Sequence, residues 1–215
     1  VLILSFYSVI AGICLNYIFI AAYSTGEISS SEQFSIVTES SINLLIWHSI
    51  FIILTASIVS AGIDKGIGRM VKILMPMLGI LLVFMVINGI INGAFSKALS
   101  FLFSPDFSNV TSQTFIEAMG QAFFSLSLGM GSIMAYGAYM PKEQKVGSTS
   151  FTVVSLDTLV ALFAGLAIFP IIFAFGLEAG SGPGLVFISI LTAFNQMEFG
   201  QLIGPLFFIL LSVAA

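Results

Sequence analysis

Apolar residues run along this chain in stretches long enough to cross a bilayer, divided by short polar breaks, a pattern that predicts spanning helices rather than strands. The stretches cover residues 1–22, 42–62, 70–91, 114–139 and 150–175, and a shorter apolar run closes the chain at 202–215. A helix rising about 1.5 Å per residue needs about 20 residues to cross roughly 30 Å of hydrocarbon, so the closing run reads as a partial span. The chain opens on Val1 with no charged segment ahead of its first apolar run, and so reads as an internal portion of a longer protein, cut at both ends. Residues 23–41 are rich in Ser, Thr and Glu and hold no basic residue, the composition of a solvated loop. Residues 176–201 read as a hairpin, because the apolar run at 184–194 is too short to span and GSGPG at 180–184 supplies the turn. The expected architecture is a single all-α, polytopic transmembrane domain.

Composition narrows the classes. Apolar residues make up 58% of the chain and charged residues 7%, against roughly 25% charged in an average soluble domain. Six basic and ten acidic residues give a net charge of −4, which offers no basic patch for nucleic acid. Cys14 has no partner cysteine, and no cluster of metal-ligating side chains is evident in the sequence. Orientation follows from the cations, since short loops rich in Lys and Arg stay cytoplasmic. Lys65, Arg69, Lys72, Lys142 and Lys145 fall on one side and only Lys97 on the other, whereas Glu27, Glu32, Glu39, Asp106, Glu117, Glu178 and Glu198 fall with Lys97. The first span therefore runs outward from the cytoplasm, in a multi-pass protein of the inner or plasma membrane.

Two features carry candidate chemistry. In the fourth span, Gly120, Gly129 and Gly131 bracket Ser125 and Ser127 within GQAFFSLSLGMGS at 120–132. Each glycine costs a helix about 1 kcal/mol relative to alanine. The run therefore reads either as a break that offers backbone groups and hydroxyls to a polar cavity, or as small residues that let helices pack closely. Asp157 lies inside an otherwise apolar helix, where an unpaired charge costs about 2.5–3.5 kcal/mol. It needs an ion or a partner, unless it sits near enough to the cytoplasmic end to meet water. Tyr7 reads as a packed residue in the first span, His48 beside Trp47 as interfacial, and Pro76 and Pro170 as kinks. An enzyme would need a His/Glu cluster or a Ser/His pair inside the membrane, and His48 alone supplies neither.

The run GQAFFSLSLGMG at 120–131 resembles the sixth-helix signature of the neurotransmitter:sodium symporter family, in its bacterial amino-acid-transporting branch. In order along the chain, FYSVIAG at 6–12 is similar to the third helix and GIDKGI at 62–67 to the loop between the fourth and fifth. AGLAIFP at 164–170 is similar to the seventh helix and GPGLVFISI at 182–190 to the fourth extracellular loop. The resemblance implies the central part, about helices three to eight, of a leucine-transporter-type inverted-repeat fold with a helix broken around 124–129. That family binds its ligands at broken helices near the midplane.

Residue by residue, the resemblance implies that Tyr7 touches the substrate carboxylate and helps close the outer gate, and that Ile3 faces the substrate side chain. Phe124 matches an aromatic lid, Ser125 a hydroxyl shared by substrate and sodium, and Ser127 and Met130 the pocket nearest the amino group and side chain. Gln121 and Tyr139 fall at gate positions. Asp157 matches a sodium-ligand position that is commonly asparagine. One turn on, Ala161 stands where chloride-dependent members carry serine, so Asp157 is expected to ligate sodium and to supply the negative charge that chloride supplies elsewhere. The implied activity is sodium-coupled symport of an apolar or aromatic amino acid by alternating access, with chloride not required. An amine or osmolyte carrier on the same scaffold, or an amino-acid sensor that does not transport, are the rival readings.

Overall fold

The structure is a computed structural model that describes residues 2–24, 26–129, 131–140, 143–180 and 182–215, and among these the regular structure is helical. Among the described residues, four helices are long and apolar enough to span a membrane. They are α1 (Leu2–Tyr23), α3 (Ser41–Ser60), α4 (Gly68–Asn92) and α8 (Val146–Ala174). Shorter helices lie between and after them: α2 (Ser30–Glu39), α5 (Phe95–Phe103), α6 (Ser112–Ser125), α7 (Ser132–Ala138), the single turn α9 (Gly182–Gly184), α10 (Ile190–Gln196) and α11 (Gly200–Ala214). Wide π-turns precede α4 at Ile63–Ile67 and α10 at Leu185–Ser189, and a 3₁₀ turn lies at Phe107–Asn109.

The apolar stretch at 114–139 is broken as the sequence predicts, into α6 and α7 with non-helical backbone between them. One reading needs correction: the polar segment at 23–41 is not all loop, because α2 occupies most of it. Ser29 caps α2 by accepting the Glu32 amide at 3.2 Å. Ser30, Phe34 and Val37, spaced at i, i+4 and i+7, form its inner face, with Ser30 and Val37 buried and Phe34 stacked 5.8 Å from Phe187.

The chain groups into two compact units, Val1–Ala98 with Leu166–Ala215, and Leu99–Gly165. In the first, α1 packs against both α3 and α11. Gly12 permits the α1–α3 crossing, since a Cβ there would lie 2.8 Å from the His48 backbone nitrogen. On the α11 side, a Cβ on Gly204 would meet the Ala21 methyl at 3.0 Å. Between lipid-embedded helices the hydrophobic driving force is weak, so close approach of this kind and dense van der Waals packing carry the association. An aromatic cluster fills the adjoining space: Tyr17 lies 4.8 Å from Phe187 and 5.1 Å from Phe208, ring centre to ring centre. The Gln201 side chain donates to the Ser24 carbonyl at 3.1 Å and ties the start of α11 to the end of α1.

The last part of α8, from Leu166 to Ala174, belongs to this unit and is fastened at Pro170. The Ala94 amide donates to the Pro170 carbonyl at 2.8 Å, and Gly93 lies so close that a Cβ would stand 2.7 Å from the Pro170 Cβ. One turn on from Pro170, the Phe173 ring lies 5.0 Å beneath the Lys97 ammonium, within cation–π range. The second unit holds α6, α7 and the longer, first part of α8, from Val146 to Gly165. Thr111 and Thr114 start α6 with a reciprocal capping box: each side chain accepts the other's backbone amide, at 3.4 and 3.1 Å.

Candidate functional site

The site is built around the end of α6. A helix that stops leaves its last carbonyls without regular donors, and here the chain folds back on three of them. Leu126 donates to the Ala122 carbonyl at 3.1 Å, Ser127 to Phe124 at 3.0 Å and Leu128 to Phe123 at 2.8 Å. The bonds differ in register, as expected where a helix unravels. Ser127 then takes a left-handed backbone, φ 54°, followed by Gly129 at 78° and Gly131 at 83° before α7 begins. Glycine adopts that region at no steric cost, whereas serine is strained there by about 1–2 kcal/mol. Among the described residues the non-helical segment covers 126–129 and 131, against the 124–129 expected from the sequence.

Opposite this break, Asp157 projects from α8. That helix begins at Val146, four residues ahead of the apolar stretch that marked it, so Asp157 lies roughly 16 Å along the helix at about 1.5 Å per residue. This is three turns into the helix and about two turns past the start of its apolar stretch. The Ser125 hydroxyl donates to an Asp157 carboxylate oxygen at 2.5 Å, the length of a charge-assisted bond. The contact spans 32 positions in sequence and links the last residue of α6 to the middle of α8. A carboxylate, a hydroxyl and the carbonyls of an unwound turn are all hard oxygen donors, a set suited to a hard cation.

The other expected residues divide between the two units. Ile3 and Tyr7 lie one turn apart on α1 in the first unit, 45% and 37% exposed, and so share one open face of that helix. Phe124 precedes Ser125 on α6 and is half-exposed, Gln121 lies one turn before Ser125, and Tyr139 follows directly on α7 and is exposed. Ala161, one turn beyond Asp157, presents only a methyl group. Met130 lies outside the described residues. An apolar groove of about 650 Å³ runs between α7 and the inner end of α8, lined by Leu126, Ile133, Tyr136, Val153 and their neighbours. Neither Ser125 nor Asp157 lines it, so the groove is distinct from the polar pair. Nothing in the apolar pattern pointed to that groove, or to the strained backbone of Ser127.

Comparison with known proteins gives this geometry its class. The model of the sodium:neurotransmitter symporter family matches residues 29–215. YhdH of Bacillus subtilis, described as an uncharacterized sodium-dependent transporter, is 37% identical over 207 residues, covering 94% of this chain and 46% of that protein. An uncharacterized sodium-dependent transporter of Haemophilus influenzae is 35% identical over 221 residues, covering 99% of this chain and 48% of that protein. Among solved structures, MhsT in complex with L-phenylalanine matches with a TM-score of 0.85 at 42% identity, over 99% of this chain and 49% of that one. The fold and the broken helix are therefore those of a multi-pass membrane protein of the leucine-transporter type. The chain belongs to the sodium:neurotransmitter symporter family. It spans about half the length of the curated relatives it matches.

Proposed function

We propose that this chain carries the central part of a sodium-coupled symporter that moves an apolar or aromatic amino acid across the cell membrane by alternating access. The observation that carries the reading is the bond between Ser125, at the broken end of α6, and Asp157, deep in α8. It places a carboxylate against unwound backbone where a cation and a zwitterion can be held together, a use of broken helices known for such carriers. In this reading Asp157 and the Ser125 hydroxyl hold sodium, while Ser127 and Met130 line the adjoining substrate pocket. Phe124 covers the substrate. Tyr7 orients its carboxylate and Ile3 meets its side chain, with Gln121 and Tyr139 in the gates.

The negative charge of Asp157, beside the methyl group of Ala161, removes the need for chloride. The family supports a transporter rather than an enzyme, and the likeness to a structure holding L-phenylalanine supports an aromatic or large apolar substrate. The test is uptake of a radiolabelled amino-acid mixture into proteoliposomes of the full-length protein, with sodium outside and then with potassium in its place. Accumulation only with sodium, surviving replacement of chloride by gluconate, is the expected result. Absence of uptake by folded protein under both conditions would overturn the reading, and strict chloride dependence would overturn the role given to Asp157.

A further inference from the structure

Beyond its capping turn, α6 is apolar except along one line. Gln113, Glu117, Gln121 and Ser125 follow one another at intervals of four residues, and the other residues from 115 to 124 are apolar or glycine. Each step of four residues rises about 6 Å and turns about 40° round the helix, so each side chain neighbours the next. The four make a continuous, slowly winding polar track. It begins near the outer end of α6 and ends at the hydroxyl bonded to Asp157.

Glu117 is the one acid on this track and has no part in the site described above. It stands about 12 Å outward of Ser125 along the helix, and it is exposed, as are Gln113 and Gln121. The Gln113 side-chain amide donates to one Glu117 carboxylate oxygen at 3.1 Å and holds the carboxylate on the track. An acid and two carboxamides strung along an otherwise apolar helix belong against a water-filled cavity, since lipid offers them nothing in exchange for lost hydration. The oxygens met in order are a carboxylate, a carboxamide carbonyl, and then the Ser125 hydroxyl with Asp157. All are hard donors, and a single carboxylate is too few for a firm hold on a divalent ion, which takes six or more oxygens. The series suits a monovalent hard cation handed inward from one group to the next.

Taking the transport reading above as its premise, we propose that this track lines the outer approach to the Ser125–Asp157 pair and that Glu117 is its first station for sodium. Its charge raises the local concentration of cations at the mouth, as acids lining a cleft do, and Gln121 bridges the distance from there to Ser125.

Two measurements on the full-length protein test this. In the first, Gln113→Cys and Glu117→Cys are treated from outside with the membrane-impermeant thiol reagent methanethiosulfonate ethyltrimethylammonium, and modification is read on the substituted peptide by mass spectrometry. Both are expected to be modified, whereas Met119→Cys, between Glu117 and Gln121 in depth but on the opposite side of α6, is expected to stay unmodified. In the second, the sodium concentration giving half-maximal uptake is measured in proteoliposomes at low ionic strength. Glu117→Gln is expected to raise it about threefold with the maximal rate unchanged. The difference is expected to vanish when N-methyl-D-glucamine gluconate brings the ionic strength to about 0.5 M, where charges are screened beyond about 4 Å. Glu117→Asp, which keeps the charge, and Glu178→Gln, an outer acid away from α6, are expected to behave as wild type. Unmodified cysteines on the track, equal modification of Met119→Cys, an unchanged half-saturation in Glu117→Gln, or an equal rise in Glu178→Gln would each overturn the proposal. A folded wild type without sodium-driven uptake would overturn the transport reading itself, whatever the labelling shows.

Discussion

The Ser125 hydroxyl and the Asp157 carboxylate meet at 2.5 Å although they stand 32 positions apart, and the bond joins the one serine that ends α6 to the one acid within α8. A carboxylate at that depth is retained only if something offsets its desolvation. One hydroxyl offsets part of it, and a bound cation would offset most of the rest.

Replacing Asp157 with Asn keeps the shape and the acceptor for Ser125 but removes the charge. Half-saturation of uptake by sodium is expected to rise at least about tenfold, the equivalent of about 1.4 kcal/mol. Chloride is expected to restore part of the loss. Sodium titration of uptake in chloride and in gluconate reads both effects, and an Asp157→Asn variant with wild-type sodium dependence would exclude the carboxylate from the site.

Ser127 holds a left-handed backbone that glycine adopts freely. Ser127→Gly is expected to relieve about 1 kcal/mol of strain, partly offset by added freedom in the unfolded chain, whereas Ser127→Val should destabilise. Thermal unfolding in detergent gives the order of the three. If Val is as stable as Ser, the turn is not fixed in this conformation.

Gly12 has no room for a side chain, with the His48 backbone nitrogen 2.8 Å from where a Cβ would stand. Gly12→Val must force α1 and α3 apart, and a loss of about 3 kcal/mol or more is expected, at the upper end of overpacking costs. Gly26→Ala serves as the contrast, because none of the described residues lies within 4 Å of its Cβ position and its φ of 76° is what opposes the change. Melting temperatures of the two variants should separate clearly.

Tyr17 is fully buried among Phe187 and Phe208, and its hydroxyl has no hydrogen-bond partner among the described residues. An unpaired buried hydroxyl costs roughly 1–3 kcal/mol, so Tyr17→Phe is expected to leave stability unchanged or to raise it by about 1 kcal/mol. Destabilisation in the same melting experiment would mean that the hydroxyl is satisfied in the working protein.

The long helices and the broken one were legible because lipid demands unbroken apolar runs and because glycines with serines in mid-span are costly unless the helix opens. Helices that lie against protein rather than lipid were not. The inner face of α2 needs only Ser30, Phe34 and Val37, and its Ser-rich remainder reads as loop. The start of α8 was missed for a related reason: VGSTS at 146–150 is helical without being apolar. Within the site, Asp157 and Ser125 each stood out by residue type; hydrophobic periodicity does not encode a contact between two helices, and it was the family resemblance, which assigns both residues to sodium, that set them side by side. The strain at Ser127 was invisible for the opposite reason, since serine gives no sign of a left-handed backbone.

The 29 residues of α8 extend roughly 43 Å, well beyond a hydrocarbon core of about 30 Å. Such a rod must lean or protrude, and either response changes with the acyl length of the surrounding lipid. Because Asp157 rides on that rod, the sodium affinity proposed for it should change with bilayer thickness, without any change in its amino acids.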